Sequence, residues 1–339
     1  MTTLVLTITE TLRYRGKLGQ WAWALHRISG VGVLFFFILH VIDTSWSVFY
    51  PDLYAKAIAI YQSPIFTLGE FALVACVVYH GLNGFRIVIM DNRPNLWKYQ
   101  DRAVMYVFLG TIILLVPTFI LMFMHVVNHY NEPGVVFDLK IPELIESQLP
   151  FLIGIVAAFI GGLILSGVYS VVDRSTDKKA LKRSKFDTFM WSYMRISGVL
   201  IIPLVFGHLA MVHIIQGVFD ISKAGFTPVG TTVINQSGQA AEFVMHRWNT
   251  MFAGVMIWRV YDVLLLAFVA VHAFYGLHYI INDYVHNKVV RRGAHLAALV
   301  GCVILITVGG AALISTSPET TDKMLNQSDS TSMVVPANK

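Results

Sequence analysis

The chain has 339 residues, of which 56% are hydrophobic and only 13% are charged, with a formal net charge of +5. Its mean hydropathy is +0.64. A soluble globular domain needs more charged side chains on its surface, so these values exclude that class and indicate a polytopic membrane protein. The net positive charge does not indicate a nucleic-acid partner, because its distribution along the chain explains it.

Seven apolar stretches are long enough to cross a hydrocarbon core about 30 Å thick. They lie at roughly 21–49, 65–90, 103–128, 150–172, 190–216, 252–282 and 294–315. The sequence therefore predicts an all-α fold, a polytopic transmembrane helical bundle with seven spans.

The Lys and Arg residues favour one side of this bundle. Loops that would share the side of the N-terminus carry fifteen of them, whereas the opposite loops and the C-terminal tail carry six. Because cytoplasmic loops are enriched in Lys and Arg, we expect the N-terminus in the cytoplasm and the chain in the cell inner (cytoplasmic) membrane. The N-terminal segment lacks the pattern of a cleaved signal peptide and is expected to be a retained arm.

Two parts of the chain repeat one pattern. The run RISGV begins at Arg27 and again at Arg195, and a histidine follows each arginine after thirteen residues, at His40 and His208. The second span of each half then has a histidine, a glycine and an aspartate at matching spacings: His80, Gly84 and Asp91 in one half, and His272, Gly276 and Asp283 in the other.

These matches predict two three-helix repeats in the same orientation, at 1–130 and 189–315. Two such units of three crossings can be parallel only if one extra crossing joins them. The linker 131–188 supplies it with a histidine-free fourth span and a basic loop. Residues 316–339 form a polar tail that we expect to be disordered.

The repeated histidines predict two haems b, held without covalent attachment because no C-x-x-C-H motif occurs. Each haem needs one imidazole from each of two facing helices at the same depth. His80 and His272 lie about 16 Å from the basic side and are expected to ligate an inner haem iron. His40 and His208 lie roughly 10 Å further away and are expected to ligate an outer one. His213 follows His208 by five residues, about 140° around an α-helix, and is not expected to join it.

Three arginines in or near the spans need anionic partners on the same side as the inner haem. Arg27, Arg86 and Arg195 are therefore expected to bind haem propionates. Gly84 and Gly276, one helical turn from the inner histidines, are expected to leave space for the macrocycle.

The run LHRISGV that starts at Leu25, followed by His80, Gly84 and Asp91, resembles the cytochrome b556 subunit of succinate dehydrogenase. The second half, with His272 in the run VHA and the pair Asp283–Tyr284, resembles the smaller hydrophobic anchor subunit. The resemblance covers both halves except for the fourth span and the tail. It implies a fusion of the two membrane anchors of a succinate dehydrogenase or fumarate reductase complex.

This resemblance implies a non-catalytic subunit of an oxidoreductase. Succinate would be oxidised on a separate flavoprotein, and electrons would pass through an iron–sulphur subunit on the cytoplasmic side to a quinone. The residues Arg27, Asp283 and Tyr284 would line the quinone pocket, together with Trp23, which stands where the family often has a serine. Two-haem anchors are usually associated with menaquinone, which is favoured here.

Several alternatives stay open at this point. A quinol:fumarate reductase would use the same residues in the reverse direction. A di-haem cytochrome b of the quinol:cytochrome c type is weakly suggested by the spacing of His26 to His40 and of His272 to His286. A haem-free transporter or assembly protein is a third class. The apolar outer face, in contact with membrane lipid, is compatible with a homotrimer or a monomer of the complex.

Overall fold

The computed structural model describes residues 17–136, 141–172 and 185–316, and these residues are nearly all helical, with no strand among them. The helices are α1 (Leu18–Phe49), α2 (Pro51–Tyr61), α3 (Pro64–Asn92), α4 (Gln100–Tyr130), α5 (Ile141–Val172), α6 (Lys185–His208), α7 (Ala240–Asn249), α8 (Ile257–Tyr284) and α9 (Lys288–Ser315). A 3₁₀ turn, Pro94–Tyr99, precedes α4, and a π-helical turn, Leu209–Ile214, continues α6. The predicted N-terminal arm up to residue 16, the basic loop 173–184 and the predicted polar tail from residue 317 onward lie outside the described residues.

Six helices of the described chain are long and apolar enough to cross a membrane, namely α1, α3, α4 with its 3₁₀ turn, α6 with its π turn, α8 and α9. In the most apolar stretch of each of these six helices, between 11% and 22% of the residues are buried inside the protein, and the others are partly or fully exposed. The predicted polytopic helical bundle is confirmed. The fourth predicted span lies in helix α5. The apolar stretch of this helix, Leu152–Val168, is shorter than a candidate span, so the seventh crossing stays a prediction.

Four helices form the centre of the bundle. Each neighbouring pair in the ring α1–α3–α6–α8 is in contact, so every central helix touches one from the other half of the chain. Helix α4 packs on α3, around Val74, Val78 and Met122. Helix α9 packs on α8 and α1, around Leu34, Phe274 and Leu305. This ring brings side chains of the two halves together.

Helix α5 packs on the outside of α9 through a close contact between two backbones. A Cβ atom added at Gly162 would lie 2.3 Å from the carbonyl oxygen of Gly293. The hydroxyl of Ser166 donates a hydrogen bond of 2.6 Å to the carbonyl of Val289 one turn further along. Small residues that permit such an approach are typical of helix pairs in membranes.

A cap covers the end of the bundle where α1 ends and α8 begins, which we call the capped end. It comprises α2, the segment 215–239 and α7, and its core packs Tyr54, Ile58 and Phe243 together. Asn235 is fully buried and donates hydrogen bonds to the carbonyls of Ile221 and Gln239, both at 3.2 Å. The opposite end, where α1, α4, α6 and α9 begin, is called the basic end below.

Candidate functional site

The inner histidine pair meets between α3 and α8. The ring centroids of His80 and His272 lie 6.5 Å apart, with the ring planes at 87°. Metal–imidazole bonds are about 2 Å long, so two imidazoles on opposite sides of one metal ion have centroids about 6 Å apart. The spacing of this pair therefore fits axial ligation of a single iron.

Both rings have a polar partner at Nδ1, and at His80 this partner fixes the tautomer. The Nδ1 of His80 lies 3.0 Å from the carbonyl oxygen of His26, which can only accept, so this nitrogen carries the proton. The Nδ1 of His272 lies 3.0 Å from the hydroxyl of Ser197, which itself faces the carbonyl of Met194 at 3.5 Å. His80 thereby keeps Nε2 as the nitrogen with a free lone pair, which is the arrangement of a metal-ligating histidine. At His272 the hydroxyl of Ser197 can accept from Nδ1, which would leave Nε2 free in the same way.

The glycines of the two RISGV runs lie directly against the imidazoles. A Cβ atom added at Gly30 would lie 2.9 Å from Cε1 of His80, and one at Gly198 would lie 3.3 Å from Cε1 of His272. A Cβ atom added at Gly84 would lie 3.5 Å from Cε1 of His26, and one at Gly276 would lie 3.9 Å from Cε of Met194. That these two glycines leave space for a haem stays a prediction. The ring of His26 stacks on His80 at 3.9 Å.

The three expected propionate ligands have different surroundings. Arg27 forms an ion pair with Asp283, and Arg195 forms one with Asp91, so a carboxylate already matches each of these charges. Arg86 is buried, and its Nε and Nη1 have no hydrogen-bond partner among the described residues. A buried unpartnered cation needs an anion, so Arg86 fits a propionate best of the three.

The four expected quinone-site residues form one cluster at the basic end. The guanidinium carbon of Arg27 lies 4.0 Å from the ring centre of Trp23 and 5.7 Å from that of Tyr284. The same guanidinium pairs with Asp283, whose side chain is 50% exposed. Its Nη1 is buried and has no hydrogen-bond partner within the described part of the chain. A donor with no partner, a phenol and a reachable carboxylate suit a small polar headgroup.

The repeat produces a second arginine cluster of similar geometry but different chemistry. Arg195 lies 3.5 Å over the ring of Trp191 and donates from Nε to Asp91 at 3.1 Å. Its Nη1 donates to the backbone carbonyl of Trp191 at 3.1 Å, so all its nitrogens have partners. Asn92 occupies the position that corresponds to Tyr284. This copy of the cluster is therefore closed and lacks the phenol.

The outer histidine site contains three imidazoles instead of two. The rings of His40 and His208 lie 5.8 Å apart, and His213 lies 5.8 Å from His40 and 5.6 Å from His208. Their ligand nitrogens all lie within 4.8 Å of one another. The expectation that His213 points away from His208 is wrong. The turn 209–214 is π-helical, with an i to i−5 hydrogen bond from Ile215 to Ala210, so residues five apart share one face.

A carboxylate lies behind one of these rings. The Oδ1 of Asp262 is 3.6 Å from Nδ1 of His208. Its Oδ2 accepts from the indole of Trp248 at 2.8 Å and from Arg247 at 3.2 Å. Metal-bound histidines commonly place their second nitrogen toward a carboxylate, so the position of Asp262 favours His208 over His213 as the ligand.

Sequence reasoning missed five contributors: Ser29, Ser197, His26, His213 and Asp262. The first two were present in the repeated RISGV run, and a hydroxyl one helical turn from a histidine-facing glycine is the signal that could have found them. Asp262 gives no such signal, because nothing in its local sequence relates it to His208.

Taken together, the six apolar helices and the ring of four central helices define a multi-pass membrane protein whose two halves bring histidine side chains together between them. The family "Succinate dehydrogenase/Fumarate reductase transmembrane subunit" matches residues 8–119 and 174–311. The chain belongs to this family, which favours the anchor interpretation over a cytochrome b of the quinol:cytochrome c type.

Two curated relatives are similar to parts of the chain. One is the succinate dehydrogenase 2 membrane subunit SdhC of Mycobacterium tuberculosis, which is 33% identical over 136 residues, covering 39% of this chain and 100% of that protein. The other is the succinate dehydrogenase hydrophobic membrane anchor subunit of Halobacterium salinarum, which is 31% identical over 106 residues, covering 30% of this chain and 81% of that protein. No solved structure matches the chain.

Proposed function

We propose that this chain is the haem b-binding membrane anchor of a succinate:quinone oxidoreductase, in which it forms the quinone site. Family membership supports the anchor role. The observation that carries the finer proposal is the pair His80 and His272, contributed by different halves of the chain with ring centroids 6.5 Å apart. A quinol:fumarate reductase anchor would have the same geometry and differ only in direction.

The inner haem would be held by His80 and His272 through Nε2, with Arg86 beside a propionate. The outer haem would be held by His40 and His208, with Asp262 behind His208. A haem b at each of these two sites would supply a one-electron carrier. The chain's contribution would be to orient both imidazoles through their Nδ1 contacts and to supply the buried cation of Arg86 as a counter-ion.

The quinone would bind at Arg27, with Trp23, Asp283 and Tyr284 around it. Reduction to the quinol needs two electrons and two protons, and negative charge develops on the carbonyl oxygens. The unpartnered Nη1 of Arg27 stabilises that charge, and the phenol of Tyr284 donates a hydrogen bond. The half-exposed carboxylate of Asp283 can relay protons from water. Menaquinone is the favoured species.

The remaining subunits would bind at the basic end. A flavoprotein would oxidise succinate, and an iron–sulphur subunit would dock on the basic loops beside the quinone cluster. The N-terminus would then lie in the cytoplasm and the chain in the inner membrane, which the excess of Lys and Arg on that side supports.

The haem proposal is tested by quantifying haem in the complex purified from haem-replete membranes. Pyridine haemochrome spectra should give two haems b per chain, and one in His80→Ala, His272→Ala, His40→Ala or His208→Ala. His286→Ala is the matched control, because this exposed histidine lies outside both clusters, and it should keep both haems. A wild-type preparation without haem would contradict the proposal.

The quinone proposal is tested separately by the two arginine clusters. Arg27→Gln should lower quinone reduction by about 100-fold, since it removes a charged donor to the developing anion. Arg195→Gln is the control from the closed cluster and should leave the KM for quinone unchanged. Tyr284→Phe should lower the rate of quinone reduction by up to about tenfold, because it removes one hydrogen bond to the quinone. Equal effects of the two arginine substitutions would contradict the location of the site.

A further inference from the structure

A basic cleft of about 610 Å³ lies at the basic end, between the end of α8 and the start of α9. It is lined by His278, Asn282, Lys288, Arg291, Arg292 and His295. Three of these residues are cations and none is acidic. We propose that this cleft binds the phosphate headgroup of an anionic membrane lipid, of the phosphatidylglycerol or diphosphatidylglycerol class.

The wall of the cleft is already ordered. The side-chain amide of Asn282 lies between two imidazoles, 2.9 Å from Nε2 of His278 and 3.1 Å from Nε2 of His295. The two histidine rings pack with their centroids 4.3 Å apart, and Tyr275 stacks on His278 at 5.1 Å. A ligand would therefore meet polar groups whose positions are fixed before it binds, which lowers the entropic cost of binding.

The charge of the cleft suits a phosphate. The side chain of Asn287 caps α9 by accepting from the amides of Val289 and Val290, so the donors offered to a ligand are the side chains of Lys288 and Arg291. Guanidinium groups bind phosphate oxygens in pairs, and the N-terminus of α9 adds a favourable dipole. The carboxylate of Asp187 also lies near His278. Its single negative charge is smaller than the positive charge of the three cations that line the cleft.

An exposed apolar face continues from the cleft along α9, and this favours a lipid over a free anion. Leu299 and Val303 follow His295 at steps of four residues, so they lie on the same face of the helix. Their side chains are 62% and 56% exposed. A cationic headgroup site at the membrane surface that leads onto an exposed apolar helix face matches both parts of a phospholipid. A free phosphate would use only the first part.

The test is native mass spectrometry of the whole complex in detergent. Tetraoleoyl diphosphatidylglycerol, dioleoylphosphatidylglycerol and dioleoylphosphatidylcholine are added in turn, each with and without inorganic phosphate. The variant is Lys288→Gln with Arg291→Gln. Its matched control is Lys98→Gln with Arg102→Gln, two exposed cations at the same end of the bundle.

The wild type and the control should retain the two anionic lipids over phosphatidylcholine, and the cleft variant should bind them at least tenfold more weakly. Haem content should be equal in all three, which separates this result from the proposed haem sites. Equal retention by variant and control would overturn the proposal. So would displacement of the lipid by millimolar phosphate, which indicates a free-anion site, or loss of the iron–sulphur subunit with lipid binding unchanged, which indicates a protein-docking surface.

Discussion

The hydroxyl oxygen of Ser197 lies 3.0 Å from Nδ1 of His272, across the contact between α6 and α8. The equivalent serine of the first half, Ser29, is 3.4 Å from Nδ1 of His80, which also has the carbonyl of His26 at 3.0 Å. The two halves therefore orient corresponding imidazoles by different means. The second half depends on the serine, whereas in the first half a backbone carbonyl makes the closer contact.

This difference predicts unequal effects of one substitution at two equivalent positions. Ser197→Ala should weaken haem binding at the inner site by about tenfold, because His272 loses its hydrogen-bond partner at Nδ1. Ser29→Ala should have little effect, since the carbonyl of His26 still accepts from His80. Haem retention during dilution, followed by the absorbance of the inner haem, measures both. Equal losses in the two variants would show that the serines act in some other way.

The repeat explains why so much of the site was predictable. A motif that occurs twice at the same helical spacing specifies which side chains share a depth, so the sequence alone predicts that His80 and His272 lie at the same depth. The same logic failed at His213, because the prediction assumed an α-helix where the chain forms a π turn. In an α-helix a residue five positions further along lies about 140° around the helix, whereas in a π turn it lies on nearly the same side.

Features that depend on contacts between distant segments gave no sequence signal. The cap was missed because α2 and α7 are short and lie in the connections between predicted spans, where the repeated motif has no residues. The approach of Gly162 to Gly293 was also missed, because Gly162 lies among other glycines that have open space around them and Gly293 follows two arginines just outside a predicted span. Such pairs are defined by the packing of two helices, and one helix alone cannot reveal them.

The outer site depends on a carboxylate whose removal should be detectable in two ways. Asp262→Asn removes the charge behind His208 and leaves Arg247, 7% exposed, without its carboxylate. Loss of one member of a buried ion pair costs about 3 kcal/mol, so the free energy of unfolding should fall by that amount. The midpoint potential of the outer haem should rise, because its imidazole ligand becomes a weaker donor, while that of the inner haem stays constant.

The control for this substitution is Asp220→Asn, which removes a carboxylate 3.5 Å from Nδ1 of His125 at the capped end. Redox titration of the two haems distinguishes the roles. If Asp262→Asn lowers stability and leaves both potentials unchanged, Asp262 has a structural role only.

The contact between α5 and α9 can be tested with adjacent glycines. Gly162→Ala should destabilise the detergent-solubilised protein by about 2 kcal/mol, because the new Cβ would clash with the backbone of Gly293 and force the helices apart. Gly161→Ala should be neutral or slightly stabilising, since no atom lies within 4 Å of its added Cβ. Thermal unfolding followed by tryptophan fluorescence measures both. Equal stability of the two variants would mean that α5 does not pack on α9 in this way.

The cap should lose stability in acid through one buried carboxylate. Burial acts to raise the pKa of Glu242, but hydrogen bonds from the Ser237 hydroxyl, from His246 and from the amides of Ser237 and Gln236 outweigh it and hold the pKa below its ordinary value. A depressed pKa stabilises the fold above the unfolded value of about 4.3, and this contribution disappears as the pH falls through the folded pKa. Amide-exchange protection of 235–249, corrected for intrinsic rates, should therefore be constant between pH 7 and 5 and fall below about pH 4.3. In Glu242→Gln the protection should already be lower at pH 7 and should lack this acid transition, whereas an unchanged transition would assign it to another carboxyl group.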